Sequence, residues 1–321
     1  MARADGLWLH RRGACWRVKK VLLAVAFPAA LLGGAYFLFS AASAAATNAF
    51  GVLSSPSVWL FVASASLLFA STYLPSALIW RRLLLWQGIR VSASEALALL
   101  LRTTPAKYLP GNVAQPMSRA AGLALRGWPL PAAVTSLFEE ATLSLGVALL
   151  LGLSTAVLLL SSFPEPLAAF LPWFLFVSVF VILAFLFFLM RDTAPRRWIS
   201  RASSLIQPSR AFAVCVGYAF VMILIGCSIS IASFSVVGVD LRGGAVVFSA
   251  FLLAWALGSL VPGAPAGLGV RDGALVWMLT PHFAEGAVVI AAVARLATVF
   301  GDVVAFIGGL LFFGRPKAWG L

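Results

Sequence analysis

Six apolar blocks, each about 20 residues or longer and nearly free of charge, divide this chain, with short basic connections between most of them. They lie near 20–41, 58–80, 131–160, 167–190, 211–237 and 285–312. A helix of that length crosses roughly 30 Å of hydrocarbon. Inside lipid every backbone polar group needs an internal partner, so helices are the expected elements. Composition agrees: 62% of the residues are hydrophobic and 10% are charged, against about 25% charged in ordinary soluble domains. So little charge excludes a soluble core of this size. The chain reads as an all-α polytopic membrane protein.

The formal net charge is +13, which on its own would suit nucleic acid. Its placement argues for a membrane instead. Arg3, Arg11, Arg12, Arg17, Lys19 and Lys20 precede the first block, whereas 42–57 carries no charge. Arg81 and Arg82 end the second block, and Arg191, Arg196, Arg197, Arg201 and Arg210 fill the connection after the fourth. Basic residues stay on the cytoplasmic side and suit anionic lipid headgroups. Both termini are therefore expected in the cytoplasm, with the protein in the cytoplasmic (inner) membrane. The stretch 21–40 is longer than a signal-peptide core and is read as a retained first helix.

Cys15, Cys215 and Cys227 match neither a metal spacing nor a disulfide framework, and His10 and His282 are far apart. No metal and no cofactor are expected. Trp59, Trp80, Trp86, Trp128, Trp173 and Trp198 fall mostly near expected membrane interfaces, where anchoring accounts for them.

Two further apolar regions are broken. The first runs over 93–106, breaks at Pro105 and Pro110-Gly111, and continues to about 125 between Arg90 and Arg126. The second runs over 244–260, breaks through Pro262, Gly263, Pro265, Gly267 and Gly269, and continues to about 280. Glycine permits positive φ and close approach, and proline leaves carbonyls without helical partners. Interrupted backbone at membrane depth is tolerated where protein buries it or it lines a wet cavity. Both regions are read as re-entrant hairpins, the first dipping in from the cytoplasm and the second from outside. Each half, 20–160 and 167–313, then holds two spans, a hairpin and a third span, in opposite orientation. Such inverted repeats are common among secondary transporters. The expected architecture is one membrane domain over 1–321 with six full spans and two hairpins. All basic residues except Arg242, Arg271 and Arg295 then lie on the cytoplasmic side or in the hairpin entering from it. A plain bundle of eight or ten helices is the alternative.

Charges within hydrocarbon mark pathways or buried pairs. Glu139 and Glu140 lie inside the third span and Arg295 inside the sixth. Lys107 precedes the first break, Arg119 follows it, and Arg271 and Asp272 follow the second. Pro110-Gly111 stands nine residues before Arg119, as Pro262-Gly263 does before Arg271. Half-helix termini and guanidinium forks favour phosphate, so Arg119 and Arg271 are candidate headgroup contacts. Glu139 is expected to neutralise an arginine when lipid is absent. A structural ion pair is the alternative for each single residue.

At these residues the chain resembles the flippase-like family named for the lysylphosphatidylglycerol synthase transmembrane domain. The likeness rests on Lys107-Tyr108-Leu109-Pro110-Gly111-Asn112-Val113 with Arg119, on Glu139, and on Pro265-Ala266-Gly267-Leu268-Gly269-Val270-Arg271-Asp272. Against the family pattern, Asn112 stands where lysine is frequent and Ala266 where glycine is usual. Asp272 takes the place of a usual glutamate, and Glu140 that of a frequent arginine. The resemblance implies lipid movement or presentation, with Lys107, Tyr108, Asn112, Arg119, Glu139, Arg271, Asp272 and Arg295 around the substrate. Synthases of the family carry an added soluble catalytic domain. With the chain ending at Leu321, transport without transferase chemistry is expected. The expected partners are membrane lipids, either an anionic phospholipid or a lipid-linked headgroup. A second copy of the chain is compatible; nucleic acid is not expected. An integral-membrane lipid transferase using Glu139, Glu140 or Asp272, and a scaffold for a lipid-modifying enzyme, remain the alternatives.

Overall fold

A proline divides the first described span. In the computed structural model, which describes residues 54–109, 113–159, 208–237, 239–260, 267 and 269–313, helix α1 (Pro56–Ser71) is followed directly by α2 (Tyr73–Trp86). Pro75 has no amide hydrogen, and its ring crowds the carbonyl four residues back, at Ser71. The helix breaks there, and the Thr72 hydroxyl donates to the Phe69 carbonyl at 2.6 Å. Tyr73, the first residue after the break, is buried.

The remaining elements are α3 (Ala93–Thr103), a 3-10 helix (Thr104–Tyr108), α4 (Ala114–Ala124), α5 (Leu130–Leu158), α6 (Pro208–Val237), α7 (Leu241–Leu260), α8 (Val270–Phe283) and α9 (Gly286–Phe313). Every regular element among the described residues is helical. Five stretches are long and apolar enough to cross a membrane: Pro56–Trp86, Leu130–Leu158, Phe212–Val236, Leu241–Leu260 and Gly286–Phe313. Four of them occupy the places expected of the second, third, fifth and sixth spans. The fifth, α7, has 20 residues and is longer than the half-helix anticipated at 244–260. The spans expected at 20–41 and 167–190 lie outside the described residues, as do Pro110, Gly111, Asn112, Pro262, Gly263 and Pro265.

Helix ends follow their local sequence. Ser92 starts α3 with a capping box: its hydroxyl accepts from the Glu95 amide at 3.1 Å, and the Glu95 carboxylate accepts from the Ser92 amide at 2.9 Å. Gly269, at φ +83°, begins α8 in a conformation that L side chains rarely adopt.

Small residues let the helices approach, as expected where lipid supplies no hydrophobic drive between them. Ser249 of α7 donates to the Gly152 carbonyl of α5 at 2.7 Å, and Ser230 of α6 to the Gly244 carbonyl of α7 at 2.9 Å. A Cβ built on Gly301 of α9 would stand 2.7 Å from Phe69 Cδ1 and 2.8 Å from the Ser66 carbonyl oxygen of α1. Backbone cannot swing aside. Gly301→Ala is therefore expected to cost about 1–3 kcal/mol from overpacking, read as a lower melting temperature in detergent. Gly308→Ala, whose nearest neighbour is Phe312 at 3.9 Å, should stay within about 0.5 kcal/mol of wild type.

Trp80 departs from the interface role anticipated for it. It is fully buried among α2, α3, α4 and α5, and its indole NH donates to Ser136 Oγ at 3.2 Å. A buried indole needs such a partner.

Helix α9 serves as a ruler for depth. A Cβ on Gly243, near the start of α7, would lie 3.3 Å from Phe283 at the end of α8. One on Gly258, near the end of α7, would lie 2.9 Å from Arg271 Cβ at the start of α8. The two helices thus form an antiparallel hairpin whose tip meets α9 through Asp272 and Arg295. From the other end of α9, Gly309 packs on Leu101 of α3, while Asp302 receives Lys107 and Tyr108 of the 3-10 helix. Positions 295 and 302 are about 10 Å apart at 1.5 Å per residue. The two broken segments come at α9 from opposite ends.

Candidate functional site

Between the two broken segments lies a cavity of about 260 Å³. Its wall includes Tyr73 of α2, Lys107 and Tyr108 of the 3-10 helix, Arg119 of α4, Glu140 of α5, Tyr218 of α6, Trp255 and Gly258 of α7, Gly267, Arg271 of α8, and Arg295 and Asp302 of α9. Charged side chains buried among apolar helices are costly, which makes their meeting place a candidate site.

Three charged groups form the wall. In the first, Asp302 is 3% exposed and accepts three hydrogen bonds. Tyr73 OH and Lys107 Nζ donate to Oδ1 at 2.5 and 2.6 Å, and Tyr108 OH donates to Oδ2 at 2.5 Å. The break at Pro75, the 3-10 turn at Pro105 and the last span thus converge on one carboxylate. In the second group, Arg295 donates from Nη2 to Asp272 Oδ2, with both side chains 2% exposed. Arg295 and Asp302 are seven residues apart, two helical turns, so both face the cavity. In the third group, Arg119 Nη1 pairs with Glu140 Oε2 at 2.8 Å, and its guanidinium lies 4.8 Å from the Trp80 ring.

Arg271 is different. Its nearest acidic atom is Asp272 Oδ1 at 3.7 Å from Nε, too far for a hydrogen bond, and its guanidinium lies 5.5 Å from the Phe251 ring. It makes no hydrogen bond to any described residue, although it is 8% exposed. Glycines set its position: a Cβ on Gly267, where φ is +72°, would lie 3.1 Å from Arg271 Cβ. The Tyr218 hydroxyl and Arg119 Nε also find no acceptor among the described residues. A buried donor left unsatisfied costs about 1–3 kcal/mol, which an oxygen-rich ligand relieves.

Of the residues anticipated from sequence, Lys107, Tyr108, Arg119, Arg271 and Arg295 line the cavity, and Asp272 stands behind two of them. Glu139 does not join them. It is buried beside the cavity and accepts from Gln87 Nε2 at 2.6 Å. The carboxylate that neutralises Arg119 is Glu140. Successive residues of a helix point about 100° apart, so only one of the two glutamates can face the cavity. Sequence reasoning passed over Asp302, Tyr73 and Tyr218. Asp302 carried a legible signal: an acid in an apolar run, two turns beyond Arg295. The tyrosines carried none. Among the described residues no cluster of His, Cys, Asp and Glu is placed to hold a metal.

No curated protein and no solved structure matches the chain. The model of one family, described as the lysylphosphatidylglycerol synthase TM region, matches residues 16–305. That match takes in both broken segments and all three charged groups, and the chain belongs to the family of the lysylphosphatidylglycerol synthase transmembrane region.

Proposed function

We propose that the protein moves an anionic phospholipid, or a lipid-linked headgroup, across the cytoplasmic membrane through the cavity while the acyl tails stay in lipid. The observation that carries this reading is Arg271: a buried guanidinium on the cavity wall with no hydrogen bond to any described residue. A guanidinium offers a planar fork to phosphate oxygens, and such charge-assisted pairs are about twice as strong as neutral ones. Arg119, Tyr218 and the neighbouring Arg295 add donors around the same space.

The approach of the two broken segments to α9 from opposite ends supports two re-entrant hairpins within inverted repeats over 20–160 and 167–313. In that architecture the substrate sits where the repeats meet. Cytoplasmic termini follow from the basic connections. The matched family region is the membrane part of the synthase, which favours transport over transferase chemistry.

Purified protein in vesicles holding an acyl-labelled fluorescent phosphatidylglycerol tests this. Lipid should exchange between leaflets faster than in empty vesicles, and Arg271→Ala should slow it by about tenfold or more, the loss of one charge-assisted contact. Arg82→Ala, at an exposed position, should match wild type. A rate no higher than in empty vesicles, under every imposed ion gradient, would sink the reading.

A further inference from the structure

Two walls of different chemistry bound the cavity. One, at the tip of the second hairpin, presents the Arg271 guanidinium, which makes no hydrogen bond to any described residue. Ionised phosphate oxygens only accept, so this wall suits them.

The other wall comes from three helices, and it both donates and accepts. Gln115 and Arg119 of α4 are four residues apart, as are Glu140 and Ser144 of α5, so each pair shares a helix face, and all four line the cavity. Arg119 engages Glu140 through Oε2 at 2.8 Å. That bond leaves Arg119 Nε without an acceptor among the described residues, and it leaves Oε1 of a 16% exposed carboxylate for a ligand. The Ser144 hydroxyl donates to the Ala141 carbonyl at 3.1 Å, so its oxygen can still accept. From α6 comes Tyr218, 2% exposed, whose hydroxyl has no partner among the described residues.

Such a wall is a poor match for phosphate alone, because Glu140 and Ser144 present oxygen lone pairs to it. It matches neutral hydroxyls, each of which donates once and accepts twice. A buried phenol without a partner is costly, and a ligand hydroxyl removes that cost.

We propose that Tyr218, with Gln115, Arg119, Glu140 and Ser144, forms a second subsite, which holds the hydroxyls of a polyol headgroup while Arg271 holds its phosphate. Tyr218 is then a specificity-determining residue. The lipid part of this assignment rests on the transport reading above; the preference for hydroxyls is read by binding alone.

Phosphatidylglycerol and phosphatidylmethanol are phosphodiesters of equal charge that differ in the glycerol hydroxyls. In vesicles, wild type should move acyl-labelled phosphatidylglycerol at least about fivefold faster than acyl-labelled phosphatidylmethanol, the worth of one or two hydrogen bonds. Tyr218→Phe keeps the buried ring and removes only the hydroxyl. It should slow phosphatidylglycerol until the two rates agree within about twofold, and leave phosphatidylmethanol unchanged. Because the hydroxyl has no protein partner to lose, the melting temperature of the free protein should not fall. Arg271→Ala should slow both lipids alike. Binding is read in detergent: dihexanoyl phosphatidylglycerol should raise the wild-type melting temperature more than dihexanoyl phosphatidylmethanol at the same concentration, and Tyr218→Phe should erase the difference. Wild type that moves the two lipids at one rate, or is stabilised equally by both, overturns the subsite. A Tyr218→Phe variant that discriminates as wild type does overturns the role of Tyr218. If Tyr218→Phe does not fold, Gln115→Ala, at a half-buried position, takes its place and should narrow the same gap. If neither lipid moves, the transport reading fails, and the melting difference alone decides the subsite.

Discussion

Asp272→Ala is expected to destabilise the protein by about 3–5 kcal/mol, the usual consequence of removing one partner from a buried ion pair. The carboxylate and the Arg295 guanidinium are each 2% exposed. Without Asp272, Arg295 loses its pair and Arg271 loses its nearest negative charge. Two guanidinium groups would then face each other across the hairpin tip. Thermal unfolding in detergent reads the change. The companion variant separates charge from shape: Asp272→Leu/Arg295→Leu removes both ions, and such apolar replacements of buried pairs are often neutral or stabilising by about 1–4 kcal/mol. The double variant should recover most of the lost stability. A single variant that melts like wild type would show that the pair contributes nothing to the fold.

Asp302→Ala should be of similar size, about 3–5 kcal/mol, but with a different local signature. One carboxylate here serves Tyr73, Lys107 and Tyr108 together, and so ties α2, the 3-10 helix and α9 at a single point. Truncation leaves an ammonium and two phenol hydroxyls without their acceptor. Hydrogen exchange should therefore quicken across 104–109, including the Leu109 amide that donates to Ala106. The start of α3 should hold its rate, because the Ser92 capping box is local. Asp302→Asn keeps an acceptor oxygen and should fall between the two. Uniform loss of protection along α3 would argue that Asp302 supports global packing only.

Much of the frame could be read along the chain. Blocks near 131–160 and 285–312 became α5, Leu130–Leu158, and α9, Gly286–Phe313. The first break was legible in Pro105 and became the 3-10 helix. Less visible was Pro75, which sits inside an apolar run and splits the span into α1 and α2; a hydropathy profile averages over it. The length of α7 was also underestimated, because Leu241, Arg242 and Gly243 look like loop and yet extend the helix.

The site was legible as a set of charges, not as a set of contacts. Arg119, Arg271 and Arg295 stood out because charge in hydrocarbon is expensive. Which acid meets which base did not. Glu139 took its expected role from its place as a charge inside an apolar span, a place Glu140 shares, and Glu140, a departure from the family pattern, is the residue that pairs with Arg119. Trp80, anticipated at an interface, packs against that arginine in the interior.

What the chain settled by itself was its solvent, its helices and the places where they break. Hydropathy, span length and the effect of a proline act within a few residues, so they can be summed along a single strand of text. The tertiary structure alone decided that Lys107 belongs to Asp302 and that Arg271 stands beside Asp272 without hydrogen-bonding to it. Such pairings depend on which faces of separate helices are turned together. One residue of helix turns that face by about 100°.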